Sequence, residues 1–103
     1  MILLRGDFNG LWGTDDGGTL LCLSHRETVR SWDGEEIPPV EGEEAIALEE
    51  DSDENGKRDN LMARGIVIPS PAWLQCRGSK WALALNDRGI YHESDFPDEK
   101  INA

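Results

Sequence analysis

The chain is poor in positive charge: 10 Lys plus Arg stand against 21 Asp plus Glu among its 103 residues, for a net charge of −11. A surface so negative repels phosphate backbones and anionic lipid, so neither nucleic acid nor membrane is an expected partner. Apolar runs are also short. The opening Met1 to Leu4 ends at Arg5, which is too short for a secretory leader and far too short to span a bilayer, so the sequence predicts a cytoplasmic protein. Two cysteines, Cys22 and Cys76, make no disulfide framework, and both are expected as thiols packed among apolar neighbours.

Recognisable catalytic patterns are missing as well. The sequence has no GxSxG, no HExxH and no phosphate loop ending in Gly-Lys-Ser/Thr, and a domain this small seldom encloses a pocket. The reading is therefore non-enzymatic. Cys22, His25, Cys76 and His92 are all the cysteines and histidines of the chain. Only Cys22 and His25 have the short spacing of zinc ligands, so two ordinary thiols and two ordinary histidines account for the set.

What the chain has is hydrophobic content of 38%, four tryptophans, and turn signals recurring along its length. The runs between the turns are short and often alternate, the pattern of an all-β domain. Strands are expected at Ile2–Leu4, around Leu11 and Trp12, at 19–24 (TLLCLS, apolar on both faces and so central), 27–32, 44–50 and 60–68. A last pair is expected within 81–94, folded back on itself at Asn86-Asp87-Arg88-Gly89. Glu35 to Glu43 carries Pro38-Pro39 and reads as a surface loop, because proline has no amide hydrogen to give a sheet. Ser70 as N-cap, Pro71 at the first helical position and Gly78 past the end predict one short helix over 70–77. The architecture expected is a small SH3-like barrel or β-roll of five to seven strands, with a compact sandwich as the alternative. Residues 1–95 form the domain and 96–103 a polar tail.

Two sites emerge. Twelve of the acids lie between Asp33 and Asp59, with only Lys57 and Arg58 as bases in that span. Such a concentration speeds encounter with a cationic protein, and a tryptophan beside it offers an anchor. Trp32, Glu43, Glu44, Glu49 and Glu50 are the expected contacts, and the function they suggest is an acidic interaction module for a basic protein, in its sharper form an inhibitor or immunity-type protein.

The second site is the stretch DSDENGKRD, 51–59. Asn55-Gly56 is a strong hairpin signal, and a two-residue turn there would set Glu54 against Lys57, Asp53 against Arg58, Leu48 against Ala63 and Ile46 against Gly65. The same letters resemble the nine-residue calcium hairpin of integrin α-chain propellers, Dx[DN]x[DN]GxxD. The resemblance implies calcium held by side-chain oxygens of Asp51, Asp53, Asn55 and Asp59 and by the carbonyl of Lys57. No other cofactor is expected.

Overall fold

The computed structural model describes residues 1–96 and is all-β with one short helix. Its strands are β1 (Ile2–Arg5), β2 (Leu11–Gly13), β3 (Thr19–Ser24), β4 (Val29–Arg30), β5 (Glu36–Ile37), β6 (Glu44–Glu49), β7 (Leu61–Pro69) and β8 (Trp81–His92), with the helix α1 (Ala72–Gln75) between the last two. Six of them form one mixed sheet in the order β1-β6-β7-β8-β3-β2, in which β1 runs parallel to β6 and every other pair is antiparallel. The remaining two, β4 and β5, make a small ribbon.

The sheet is rolled around Leu4, Leu21, Leu23, Ala45, Ala47, Ala63, Val67 and Leu83. Alanines line β6 and β7 on this inner side, where strands that curl tightly leave little room for longer side chains. Its outer side is buried in two patches. Ile46, Leu48, Met62 and Tyr91 pack with Leu3, Trp32 and Phe96; Leu20 and Ala82 pack under Leu74 of α1. Strands covered on both faces explain why TLLCLS is apolar at every position from Leu20 to Leu23.

The two edges of the sheet approach one another without a continuous ladder. Gly6 donates its N–H to Leu48 O on one side, and Asp7 donates to Cys22 O on the other. A Cβ at Gly6 would lie 2.9 Å from Leu21 Cδ2 and 3.0 Å from Ala47 Cβ, so this crossing is built on a residue without a side chain. The outcome is a roll rather than a two-sheet sandwich.

Several local expectations are corrected. The 51–59 turn is not a two-residue hairpin: the pairs Leu48↔Met62 and Ile46↔Arg64 place the register one residue from that expected. Gly56 N–H bonds Asp53 O at 3.0 Å and Asp53 N–H bonds Lys57 O at 2.8 Å, closing a three-residue loop in which Gly56 alone has positive φ (+79). A two-residue type I′ turn would need Asn55 at positive φ too. Ser52, not Asp53, therefore faces Arg58, and the pairs Glu54–Lys57 and Asp53–Arg58 are not opposite one another.

Residues 81–92 are one long strand instead of a hairpin. Between the pairs Gly65↔Leu85 and Ala63↔Ile90, β7 contributes only Arg64 while β8 contributes Asn86 to Gly89, so the expected turn is a wide bulge. The strand expected over 27–32 shrinks to Val29–Arg30, and its partner Glu36–Ile37 comes from the expected loop, ending where Pro38 begins. The helix starts one residue later than expected, with Pro71 as N-cap; the Ser70 hydroxyl instead meets that of Ser79 at 2.9 Å. Cys22 is buried but Cys76, at the helix C-cap, is exposed, so only one of these free thiols is packed as a core residue. Phe96 sets its ring edge-on to Tyr91 at 5.1 Å, and the rest of the expected tail lies outside the described residues.

Candidate functional site

The acidic stretch and Trp32 meet at one end of the roll. After β4 the chain turns at Ser31-Trp32-Asp33-Gly34, with Gly34 at φ +95 and its N–H on Ser31 O at 2.9 Å. Trp32 N–H then bonds Leu3 O at 3.0 Å, which lays the indole across the free edge of β1. At the end of β1, the Arg5 guanidinium sits 4.5 Å from the centre of the Trp32 ring, with Nη1 3.9 Å from Glu50 Oε1. Trp32, Glu50, Asp51, Arg58 and Asn60 line a surface cleft of about 280 Å³.

The acidic hairpin is strapped to the segment that follows β8. Asp51 Oδ2 lies 3.1 Å from His92 Nε2, and the Arg58 guanidinium donates to both oxygens of Glu93 at 3.1 and 3.3 Å. Asp59 accepts from the N–H of Ser94 at 3.0 Å and from its hydroxyl at 2.9 Å. The Ser52 N–H, followed by His92, holds the Asp51 carboxyl below its ordinary pKa.

Alternation along β6 divides the acids chosen from sequence. Glu50 follows Ile46 and Leu48 on the outer face, toward Trp32. Glu49 follows Ala45 and Ala47, and its carboxylate receives the Phe8 N–H. Burial, then the charge of Asp7 and more weakly that of Asp51, pushes the Glu49 carboxyl above its ordinary pKa. Glu43 and Glu44 lie at the opposite end of the strand, about 17 Å away at 3.4 Å per residue, and Glu44 pairs with Arg64 at 3.3 Å. The structure thus brings Trp32 and Glu50 together, with Asp51 as a third member, and leaves Glu43 and Glu44 apart from them.

The oxygens that the calcium resemblance singles out point in different directions. Asp53 Oδ1 accepts the N–H groups of Asn55 and Lys57, both at 2.9 Å, while the Lys57 carbonyl accepts from Asp53 N–H. Asp51 is drawn to His92 and Asp59 to Ser94. Among the described residues no group of three or more His, Cys, Asp or Glu side chains is arranged to hold a metal ion. Cys22 Sγ and His25 Nε2 are 3.8 Å apart and His25 Nδ1 is 2.8 Å from Gly78 O, but His92 belongs to the acidic end.

Sequence reasoning missed Arg5, Asn60, His92 and Glu93, which come from three elements remote in the chain. The one signal that could have found Arg5 is its rarity: few cations are available to neutralise so many acids. A second cleft of about 280 Å³ is lined by Arg5 itself and by Asp7, His25, Glu36 and the two arginines Arg26 and Arg30, among others. There both arginines already face Glu36, at 3.7 and 3.2 Å. Among the described residues no helix is long and apolar enough to cross a membrane. In comparisons with protein-family models, curated proteins and solved structures, no match to this chain is found.

Proposed function

We propose that the protein is a non-enzymatic, cytoplasmic interaction module that binds a basic protein through the acidic end of the roll, with an inhibitor or immunity-type role as the sharper form of the reading. The observation that carries it is the cleft in which the Trp32 indole stands beside the carboxylates of Glu50 and Asp51. An aromatic side chain rimmed by acids supplies contact area and a complementary field at one place. Glu49, next to Glu50 in the chain, adds to the field at this end, while Glu43 and Glu44 at the far end of β6 add only to the overall negative charge that attracts a cationic protein. The partner is a protein rather than nucleic acid, because the same field repels phosphate.

The test is kinetic. Protein captured on the immobilised chain at low salt is identified, and its association is measured against wild type and against a variant with Glu43, Glu44, Glu49 and Glu50 replaced by Lys. The reading expects association to slow at least about tenfold in the variant and to fall steeply with salt in wild type, with dissociation changed far less. An association rate indifferent to both the substitutions and salt would remove the acidic surface from the account.

A further inference from the structure

One guanidinium, the chain's own, already covers the Trp32 ring beside the cleft. Arg5 lies with Cζ 4.5 Å from the ring centre, the separation of a cation on an aromatic face. Its ion pair with Glu50, whose side chain is 76% exposed, is loose at 3.9 Å. An exposed pair at this distance contributes little stability. Arg5 therefore rests on the Trp32 ring, at the border of the two clefts, and is weakly held there.

The walls of the cleft suit a peptide carrying such a group. Glu50 and Asp51 supply two carboxylates, and the charge of Arg58 is balanced by Glu93. Asn60, 3% exposed, accepts the Asp51 N–H at its Oδ1 at 3.3 Å, while its Nδ2 has no hydrogen-bond partner among the described residues. That amide lines the cleft and reaches its solvent, where a backbone carbonyl, the acceptor every peptide carries, can replace water on it.

We propose that the cleft of Trp32, Glu50, Asp51 and Asn60 is the receptor for an arginine side chain of the basic partner, and that Arg5 is an internal stand-in displaced when that arginine enters. The inference rests on the reading of the acidic end as the partner-binding surface, and it adds the chemistry of the group recognised. Arginine is favoured over lysine because a planar guanidinium stacks on indole while still donating in its plane to a carboxylate, which a compact ammonium does not do. Arg5 lowers the apparent affinity by the fraction of time it occupies the site, so its removal strengthens binding.

The experiment uses blocked hexa-arginine and hexa-lysine peptides with the intact chain at low salt. Affinity is followed by titration calorimetry and the site by the indole N–H signal of Trp32 in a ¹⁵N-correlated spectrum, assigned with Trp32→Leu. Hexa-arginine is expected to shift that signal and to bind about two- to fivefold tighter than hexa-lysine, the ratio an exposed cation–π contact gives. Arg5→Ala should tighten hexa-arginine binding by a similar factor. Trp32→Leu, which keeps an apolar side chain against Leu3, should erase the preference for arginine without erasing binding. Equal affinity for the two peptides, or weaker binding by Arg5→Ala, would overturn the arginine receptor and leave the acidic surface standing. If neither peptide binds even at low salt, both readings fall.

Discussion

A Cβ added to Gly65 would lie 2.1 Å from the carbonyl oxygen of Ala84, on the neighbouring strand. That distance is far inside van der Waals contact, and the obstruction is backbone, which cannot rotate aside. Gly65 stands immediately before the bulge of β8, where β7 and β8 come closest as the long strand bends. Gly65→Ala is therefore expected to cost at least about 2 kcal/mol in urea unfolding, at the upper end of overpacking effects. A loss below about 0.5 kcal/mol would mean that the strands do not approach in this way.

The loop at 54–56 separates two turn types by mutation. Because Gly56 alone has positive φ, Gly56→Ala should cost about 1–2 kcal/mol, and Asn55→Ala less than about 0.5. A two-residue type I′ turn would make both substitutions costly. Chemical denaturation of the two variants decides between them.

Glu49 supplies the pH dependence. Its carboxyl is raised, chiefly by burial and next by Asp7, so the charged form is less comfortable in the folded protein than in the unfolded chain. The stability tied to the protonated form is complete below the unfolded value and is lost as pH rises through the higher folded one. Glu49→Gln should therefore raise stability at pH 7, by less than about 1 kcal/mol because the group is partly solvated, and with it Tm, and the gain over wild type should shrink as pH falls through the carboxylate range. Thermal melts from pH 3.5 to 7, a range set by ordinary carboxylate values, would show a constant difference if Glu49 were unperturbed.

Arg58 and Glu93 fasten the acidic hairpin to the end of β8, and the Glu93 side chain is only 10% exposed. A double-mutant cycle with Arg58→Ala and Glu93→Ala should give a coupling of about 0.5–1 kcal/mol, in the upper part of the range for surface pairs because of the two-point contact. Zero coupling would indicate that the hairpin moves independently of the strap.

Calcium offers a fifth test. With Asp51, Asp53 and Asp59 each engaged elsewhere, melts in millimolar calcium and in chelator should superimpose. A site filled to a hundredfold over its dissociation constant would add about 2.7 kcal/mol, several degrees for a domain of this size. A rise of that order with calcium and not with magnesium would make the 51–59 loop a metal site.

Local chemistry was readable in the sequence wherever one short segment decides its own structure. The doubly apolar run TLLCLS gave a central strand, Pro71 and Gly78 bracketed the helix, and Asn55-Gly56 marked a turn. Reading failed where a second segment intervenes. Asn86 to Gly89 has the letters of a turn, yet β7 pairs with residues on both sides of it and converts it to a bulge. The hairpin register differed by one because the Asp53 carboxylate caps the amides of Asn55 and Lys57, favouring the longer loop over cross-strand charge pairs. The candidate site was half legible: Trp32 and Glu50 follow from composition, but Arg5 reaches them only through the parallel pairing of β1 with β6, which no local pattern announces.

That parallel pairing also fixes the order in which the chain can become a protein. As synthesis proceeds, β1 emerges first yet has no ladder partner until β6 follows, and β3 waits longer still for β8. The sheet pairings available early are the short β2–β3 and β4–β5 contacts and the single bridge Leu4↔Ser31. Ile2, Leu3 and Leu4 thus lack their ladder until nearly half of the 103 residues are made, and the rolled core cannot close before its last strand arrives. A chain cut between β7 and β8 is left with an edge where the centre of the sheet should be.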